Sequence, residues 1–120
     1  MPALANIVNA SQGTVIASRA EKAESHWARF WGLMGRRSMP EDGALLITPC
    51  SSVQTSFMRF AIDVVFLNRE GQVVKVVSGL KPYRVVLGGR GAHSALELPA
   101  GAAERRGISV GDRLVWEDGD

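Results

Sequence analysis

The sequence predicts an α+β fold, a small, mostly antiparallel β-sandwich or barrel-like domain with one amphipathic helix packed on it and a short second helix. Short β-prone runs separated by turn residues occupy most of the 120 residues, as in small β domains. One early segment instead has apolar residues at helical spacing. Hydrophobic residues make up 46% of the chain, enough for one core, so we expect a single domain over residues 1–120.

The first third of the chain predicts a hairpin followed by the amphipathic helix. Residues 3–9 and 13–18 are β-prone runs around a turn, which is typical of two paired strands. Ser18 and Glu21 match a capping box, so a helix is expected over residues 19–34. The apolar residues spaced for its buried face are Ala20, Ala23, Trp27, Phe30, Trp31 and Met34.

The remainder of the chain predicts strands joined by turns. Residues 44–49 read as a short buried strand, and residues 51–60 as a short strand or a loop. Two apolar runs, 62–67 and 72–77, flank the turn sequence NREG and predict a hairpin. The later elements are a Gly-containing loop, a strand, a short helix or turn, and a final strand, over residues 81–94, 95–99, 100–107 and 108–117.

Composition limits the functions that the chain can have. The net charge is only +2 and the charges are interspersed, so nucleic acid is not an expected partner. No apolar run is long enough for membrane insertion, and the first residues lack the features of a signal peptide. The single cysteine permits no internal disulfide, which favours the cytoplasm. Histidine and cysteine lack metal-site spacing, so we expect no metal and no cofactor in a monomer or weak homo-oligomer.

Two opposite charges, Arg59 and Asp63, interrupt the most apolar run. In a strand they share one face, and the core face carries Met58, Phe60, Ile62 and Val64. Positions four apart in a straight strand are about 13 Å apart, too far for direct contact. Either the strand bends near Ala61, or each charge has another partner. Those partners would be Arg36 for Asp63 and Glu97 for Arg59.

Three interpretations of this charged cluster are open. The simplest is an ion network that holds the C-terminal end of the helix against the sheet. A second is a polar cluster at the mouth of a ligand cleft walled by Met34, Phe57 and residues 81–94. The third is acid–base catalysis by Asp63 and Glu97, which requires the two carboxyl groups to share one cleft.

Two other features have simple interpretations and chemical alternatives. Cys50 with His93 or His26 has the residue types of a nucleophile and base, but a lone cysteine after an apolar strand is usually a small buried residue. The sequence GGRG at residues 88–91 could contact a phosphate. It lacks the Walker pattern, and a flexible loop is therefore the favoured interpretation.

Motifs in order along the chain carry a family resemblance. GLMGRR, FMRFAIDVVF, ALELPAG and VGD resemble the domain of unknown function 192, also called uncharacterised protein family 0127, over residues 17–115. Ala61 stands where the family usually has proline, and Gln54 where close relatives often have histidine. The positions that match the pattern are Gly32, Leu33, Met34, Gly35, Arg36, Phe57, Met58, Arg59, Ile62, Asp63, Glu97, Leu98, Gly101, Gly111 and Asp112.

The leading functional hypothesis is a non-catalytic binding or accessory module of bacterial origin for an unknown small molecule or protein. An alternative is an enzyme for a small polar or anionic substrate with Asp63 or Glu97 as acid or base. A second alternative, implied by the resemblance, is a protein-interaction module linked to secretion or the cell envelope. The candidate ligand-binding residues are Arg36, Arg59, Asp63, Glu97, Met34 and Phe57.

Overall fold

A computed structural model describes residues 5–23, 39–55 and 58–118 of the chain. These residues are mostly β-strand, with one short helix. The elements are β1 (Ala5–Asn9), β2 (Thr14–Ala23), β3 (Gly43–Ile47), β4 (Ser52–Gln54), β5 (Ile62–Leu67), β6 (Val73–Leu80), β7 (Val85–Leu87), β8 (Ser94–Pro99), α1 (Ala102–Arg105) and β9 (Leu114–Asp118). Within those ranges no helix has the length and apolar content that a membrane span requires.

Seven strands form one mixed sheet in the order β6-β5-β8-β3-β2-β1-β9, and β4 pairs with β7 in a separate two-stranded sheet. Every neighbouring pair is antiparallel except β2 and β3, which confirms the expected mostly antiparallel arrangement. The large sheet curls until its edges meet at one corner. There the Val73 N–H donates to the Asp112 carbonyl at 2.8 Å, and the Gly111 N–H to the Val73 carbonyl at 2.8 Å. The sheet does not close into a barrel.

Apolar side chains cover both faces of the large sheet around β5, so all six residues of this strand are buried. Ile62, Val64 and Phe66 lie in one core with residues of β3 and β4, and we call this side the β4 face. Val65 and Leu67 lie in the other core with residues of β1, β2 and α1, and we call this side the α1 face. The alternation along β5 therefore separates two cores rather than a core from solvent.

Most of the predicted strands are confirmed, as are both hairpins and the short helix near residue 102. The helix predicted over residues 19–34 is wrong for residues 19–23, because β2 continues to Ala23 and pairs in parallel with β3. Ser18 does not cap a helix there, since its hydroxyl donates to Asp42 Oδ2 at 2.9 Å. The rest of the predicted helix lies outside the described residues.

The predicted loop over residues 81–94 contains β7, whose end packs tightly against the β4 face. A Cβ atom at Gly88 would lie 2.5 Å from the Phe66 ring and 2.6 Å from Ala92 Cβ. Both distances are shorter than the contacts that Cβ atoms make in folded proteins. This glycine is therefore required by the packing of β7 onto β5.

Asp112 fixes the turn before β9 to the hairpin of β1 and β2. Its Oδ2 accepts hydrogen bonds from the Ser109 N–H at 2.9 Å, Asn9 Nδ2 at 2.9 Å and Gln12 Nε2 at 3.0 Å. The Ser109 N–H and the Asn9 amide favour the ionised form, so they hold the pKa of Asp112 below its ordinary value of 3.8. The GD pair of the motif thus has a structural role in this turn.

We expect an NMR titration of the Asp112 carboxyl carbon to give a midpoint below 3.8. Because the folded-state pKa is depressed, the ionised group stabilises the fold above pH 3.8, and this contribution is lost as the pH falls through the lower folded-state pKa. Asp112→Asn should remove that part of the pH dependence of unfolding. A midpoint at or above 3.8 would contradict the hydrogen-bonding pattern.

Candidate functional site

The carboxylate of Asp63 lies fully buried on the α1 face of the sheet. Its Oδ1 accepts the Gly79 N–H of β6 at 2.9 Å, and its Oδ2 accepts the Ala103 N–H in the first turn of α1 at 2.9 Å. A buried charge is tolerated when such donors replace water. Asp63 therefore joins β5, β6 and α1.

Arg106, directly after α1, lies in the negative field of Asp63 and of the turn before β3. Its guanidinium donates to the Gly43 carbonyl at 3.1 Å and to the Glu41 carbonyl. Burial lowers the pKa of Arg106, Arg105 adds to this effect, and Asp42, Glu41 and Asp63 oppose it. Arg106 thus connects the end of α1 to β3 close to the buried carboxylate.

Glu97 is also buried, with 4% of its surface exposed, but it lies on the opposite side of the sheet from Asp63. In the register of β5 and β8, Glu97 is paired with Val64, a β4-face residue, while Asp63 is paired with Leu98 on the α1 face. Paired residues of neighbouring strands project to the same face. The two carboxylates therefore do not converge, and the arrangement needed for their joint acid–base chemistry is absent.

Of the other predicted site residues, the structure describes Arg59 but not Arg36, Met34 or Phe57. Arg59 is exposed, and no ion pair between described residues joins it to Glu97. Arg36, Met34 and Phe57 lie outside the described residues, so their expected contacts stay predictions. Of the two departures from the family pattern, Ala61 is half-buried before β5 and Gln54 is exposed at the end of β4.

A cleft of about 280 Å³ opens at the other end of the β5–β8 pair from α1. Leu67 and Ser94, which are paired in the register of these strands, line it, whereas α1 lies near the Asp63–Leu98 pair. Its apolar wall belongs to the core of the α1 face or packs on that core. The wall residues are Ile7, Leu46, Leu67, Leu96, Leu114 and Trp116.

The charged side chains among the described lining residues of this cleft are cationic. Lys22 Nζ lies 5.2 Å from the centre of the Trp116 ring, within the range of a cation–π interaction. Arg69 and His93 also line the cleft, and none of its described lining residues is Asp or Glu. Ser94 donates its hydroxyl hydrogen to Thr48 Oγ1 at 2.9 Å. We name this feature, lined by Lys22, Arg69, His93 and the apolar wall, the cationic cleft.

Sequence reasoning missed the cationic cleft because it assigned Lys22 to a helix. As a strand, β2 places Lys22 beside Leu46 of β3, and β1 places Ile7 beside Trp116 of β9. The signal available in the sequence was the presence of hydroxyl, amide and imidazole side chains just before or after apolar strands, at Thr48, Asn68 and His93.

A second depression of about 250 Å³ is lined by residues 49–51 with Ala92 and His93. Cys50 donates its backbone N–H to the His93 carbonyl at 2.7 Å and its thiol hydrogen to the Ser52 carbonyl at 3.0 Å. The first of these bonds attaches the segment before β4 to the segment before β8. No group of three or more His, Cys, Asp or Glu side chains suited to a metal ion occurs within the described ranges.

The curled mixed sheet, with α1 at one end and a cleft at the other, defines a small, mostly β protein. The chain belongs to the family of domain of unknown function 192, whose model, described as an uncharacterised ACR, matches residues 7–116. This membership confirms the resemblance carried by the sequence motifs.

Curated relatives support this membership over nearly the whole chain. A UPF0127 protein of Pyrococcus furiosus is 36% identical over 115 residues, covering 92% of this chain and 97% of the relative. One of Pyrococcus abyssi is 30% identical, with coverages of 92% and 96%. These relatives are archaeal, so the assignment to bacteria is not supported.

The same fold is found in a solved protein of unknown function from Novosphingobium aromaticivorans. Its structure matches with a TM-score of 0.83 at 21% identity, covering 97% of this chain and 93% of that one. A candidate transcription regulator of Sinorhizobium meliloti matches with a TM-score of 0.80 at 26% identity, with coverages of 93% and 91%. The family and the first of these structures are described as uncharacterised, and no activity follows from them.

Asp63→Asn should lower the free energy of unfolding by about 2–4 kcal/mol. The amide nitrogen of asparagine would face one of the two backbone N–H donors, Gly79 or Ala103, and leave it unsatisfied in the interior. Urea titration measures this change. Glu70→Gln, an exposed carboxylate, is the control and should change stability by less than about 0.5 kcal/mol. Equal effects of the two substitutions would contradict the structural role of Asp63.

Proposed function

We propose that this protein is a non-catalytic binding module and that its ligand occupies the cationic cleft. The observation that carries the proposal is the cleft itself, an apolar recess with the cations Lys22 and Arg69 and no carboxylate among its described lining residues. A concave apolar site with a few convergent polar groups is the usual form of a small-molecule site. At about 280 Å³ the cleft is near the lower end of the usual size range, which favours a small ligand.

The lining indicates the chemical class of the ligand, an apolar or aromatic body with an anionic head. The Trp116 ring and the leucine side chains would contact the body. Lys22, Arg69 and His93 would surround the head, and the Ser94 and Thr48 hydroxyl groups offer further hydrogen bonds. Since no Asp or Glu occurs in the described part of the lining, an anion meets no repulsion from that part of the wall.

The placement of the carboxylates supports a binding role over the enzyme alternative. Asp63 is fully buried and both of its oxygens accept backbone hydrogen bonds, so it has no access to a substrate. Arg36, Arg59, Met34, Phe57 and Glu97 remain candidates for ligand contacts, independently of the cleft. The proposal also keeps the module in the cytoplasm, without a nucleic-acid partner, as a monomer or weak homo-oligomer.

Naphthalenesulfonate, which has an aromatic body and an anionic head, should bind the protein saturably in calorimetric titration. Lys22→Met and Arg69→Gln should each weaken this binding by about threefold to tenfold, because each removes a cation from the cleft. Neutral naphthol should bind parent and variants alike, and the loss for the sulfonate should shrink as salt is added.

Arg90→Gln is the matched control, since this exposed arginine lies outside the cleft lining. It should leave the affinity for naphthalenesulfonate unchanged. If Arg90→Gln weakens binding as much as Arg69→Gln, the anion binds the surface through general charge, and the cleft is not its site. No saturable binding of either compound would overturn the proposed ligand class.

A further inference from the structure

Strand β7 forms an outer edge of the two-stranded sheet, and most of its outward backbone groups have no hydrogen-bond partner among the described residues. The Thr55 N–H donates to the Arg84 carbonyl and the Gly88 N–H to the Ser51 carbonyl, both at 2.8 Å. Alternation in an antiparallel pair then directs the N–H and C=O groups of Val85 and Leu87 away from β4. The Leu87 carbonyl accepts Lys75 Nζ at 2.8 Å. For the other three outward groups the described part of the chain supplies no hydrogen bond.

The exposed face of β7 is apolar. Val85 and Leu87, which share one face of the strand, are 71% and 65% exposed, and Tyr83, just before the strand, is 75% exposed. Their register partners on β4 are the uncharged Gln54 and Ser52. Large apolar side chains exposed together on one short strand are characteristic of interaction sites rather than of an ordinary surface.

Positive charge surrounds this strand. Residues 71–96 contain no Asp or Glu. The four Lys and Arg side chains of this segment make no ion pair with other described residues, and they are Lys75, Lys81, Arg84 and Arg90. An acidic partner would therefore be attracted to β7 and oriented there.

The inner side of β7 holds the strand in a fixed position. Thr55, which is fully buried, donates its hydroxyl hydrogen to the Lys81 carbonyl at 2.7 Å and accepts the Arg84 N–H at 2.9 Å. At the other end, Gly88 lies against the Phe66 ring. The edge is therefore presented already extended, which reduces the entropy lost when a partner strand pairs with it.

We propose that β7 binds an extended acidic segment of another protein by strand addition. The segment would pair with the outward groups of Val85 and Leu87, place alternate apolar side chains beside theirs, and direct its carboxylates to the surrounding cations. A strand edge favours a peptide over an anionic membrane, because a bilayer offers no directed partners for N–H and C=O groups. Lys75, which covers the Leu87 carbonyl in the free protein, would bind a carboxylate of the segment. This surface is independent of the cationic cleft.

A short dye-labelled peptide that alternates glutamate and valine tests the proposal by fluorescence anisotropy. It should bind saturably, and the amide protons of Val85 and Leu87 should exchange more slowly with solvent when it is bound. The same peptide with methyl groups on alternate backbone nitrogens keeps its charge but loses the donors of one edge. We expect it not to bind.

Arg84→Glu should weaken binding of the unmodified peptide by more than about tenfold, because it replaces attraction by repulsion beside the edge. Arg19→Glu, an equal charge change at an exposed position of β2, is the matched control and should have little effect. Thermal melts of both variants establish that they fold, which is expected since the Arg84 side chain is exposed.

Three results would overturn strand addition at β7. One is the absence of saturable binding by the unmodified peptide. Another is equal binding of the methylated peptide, or equal losses for Arg84→Glu and Arg19→Glu, which would indicate attraction by charge alone. The third is Arg84-dependent binding to phosphatidylglycerol vesicles without binding of the peptide, which would assign the surface to a membrane.

Discussion

The hydrogen bonds of the buried Asp63 carboxylate organise one end of the molecule. Its two oxygens connect β5, in the middle of the chain, to β6 and to α1. Among the described residues, no other side chain joins these three elements by hydrogen bonds. A short helix of four residues gains little stability by itself, so its position depends on tertiary contacts such as this one. With α1 held there, Ala102 and Ala103 complete the core of the α1 face.

An ion network was one of three interpretations of the charge at this point in the sequence, and among the described residues backbone N–H groups are the hydrogen-bond donors to Asp63. Alternation along the strand correctly separates Asp63 from Ile62 and Val64. It cannot reveal that the second face is buried as well, because that depends on β1, β2 and α1 packing across it. Nor can it give the register of β5 and β8, and a shift of one residue there would move Glu97 to the other face.

How well the sequence predicted each element of the fold depended on whether its partner strands are close to it along the chain. The hairpin of β5 and β6 was predicted because its apolar arms and its turn residues are adjacent in sequence. The segment 19–23 was not, because Ala, Glu and Lys favour a helix locally while its strand conformation comes from pairing with β1 and β3. Gly43 and Ala44 of β3, its parallel partners, lie more than twenty positions along the chain. The error in β2 also displaced Lys22, and with it the cationic cleft.

Around β5, which is buried on both faces, few places remain where chemistry can meet solvent. The middle of β5 has no accessible side chain, so its charged residue serves the fold. Strand ends and sheet edges are places where polar side chains or unpaired backbone groups lie beside apolar ones. The cationic cleft uses strand ends, where Thr48, Asn68 and His93 follow or precede apolar runs, and β7 uses an edge. The cationic cleft and the edge of β7 differ in the arrangement of their cations. The cleft needs cations around a recess of fixed volume, whereas the edge of β7 needs them along an extended strand.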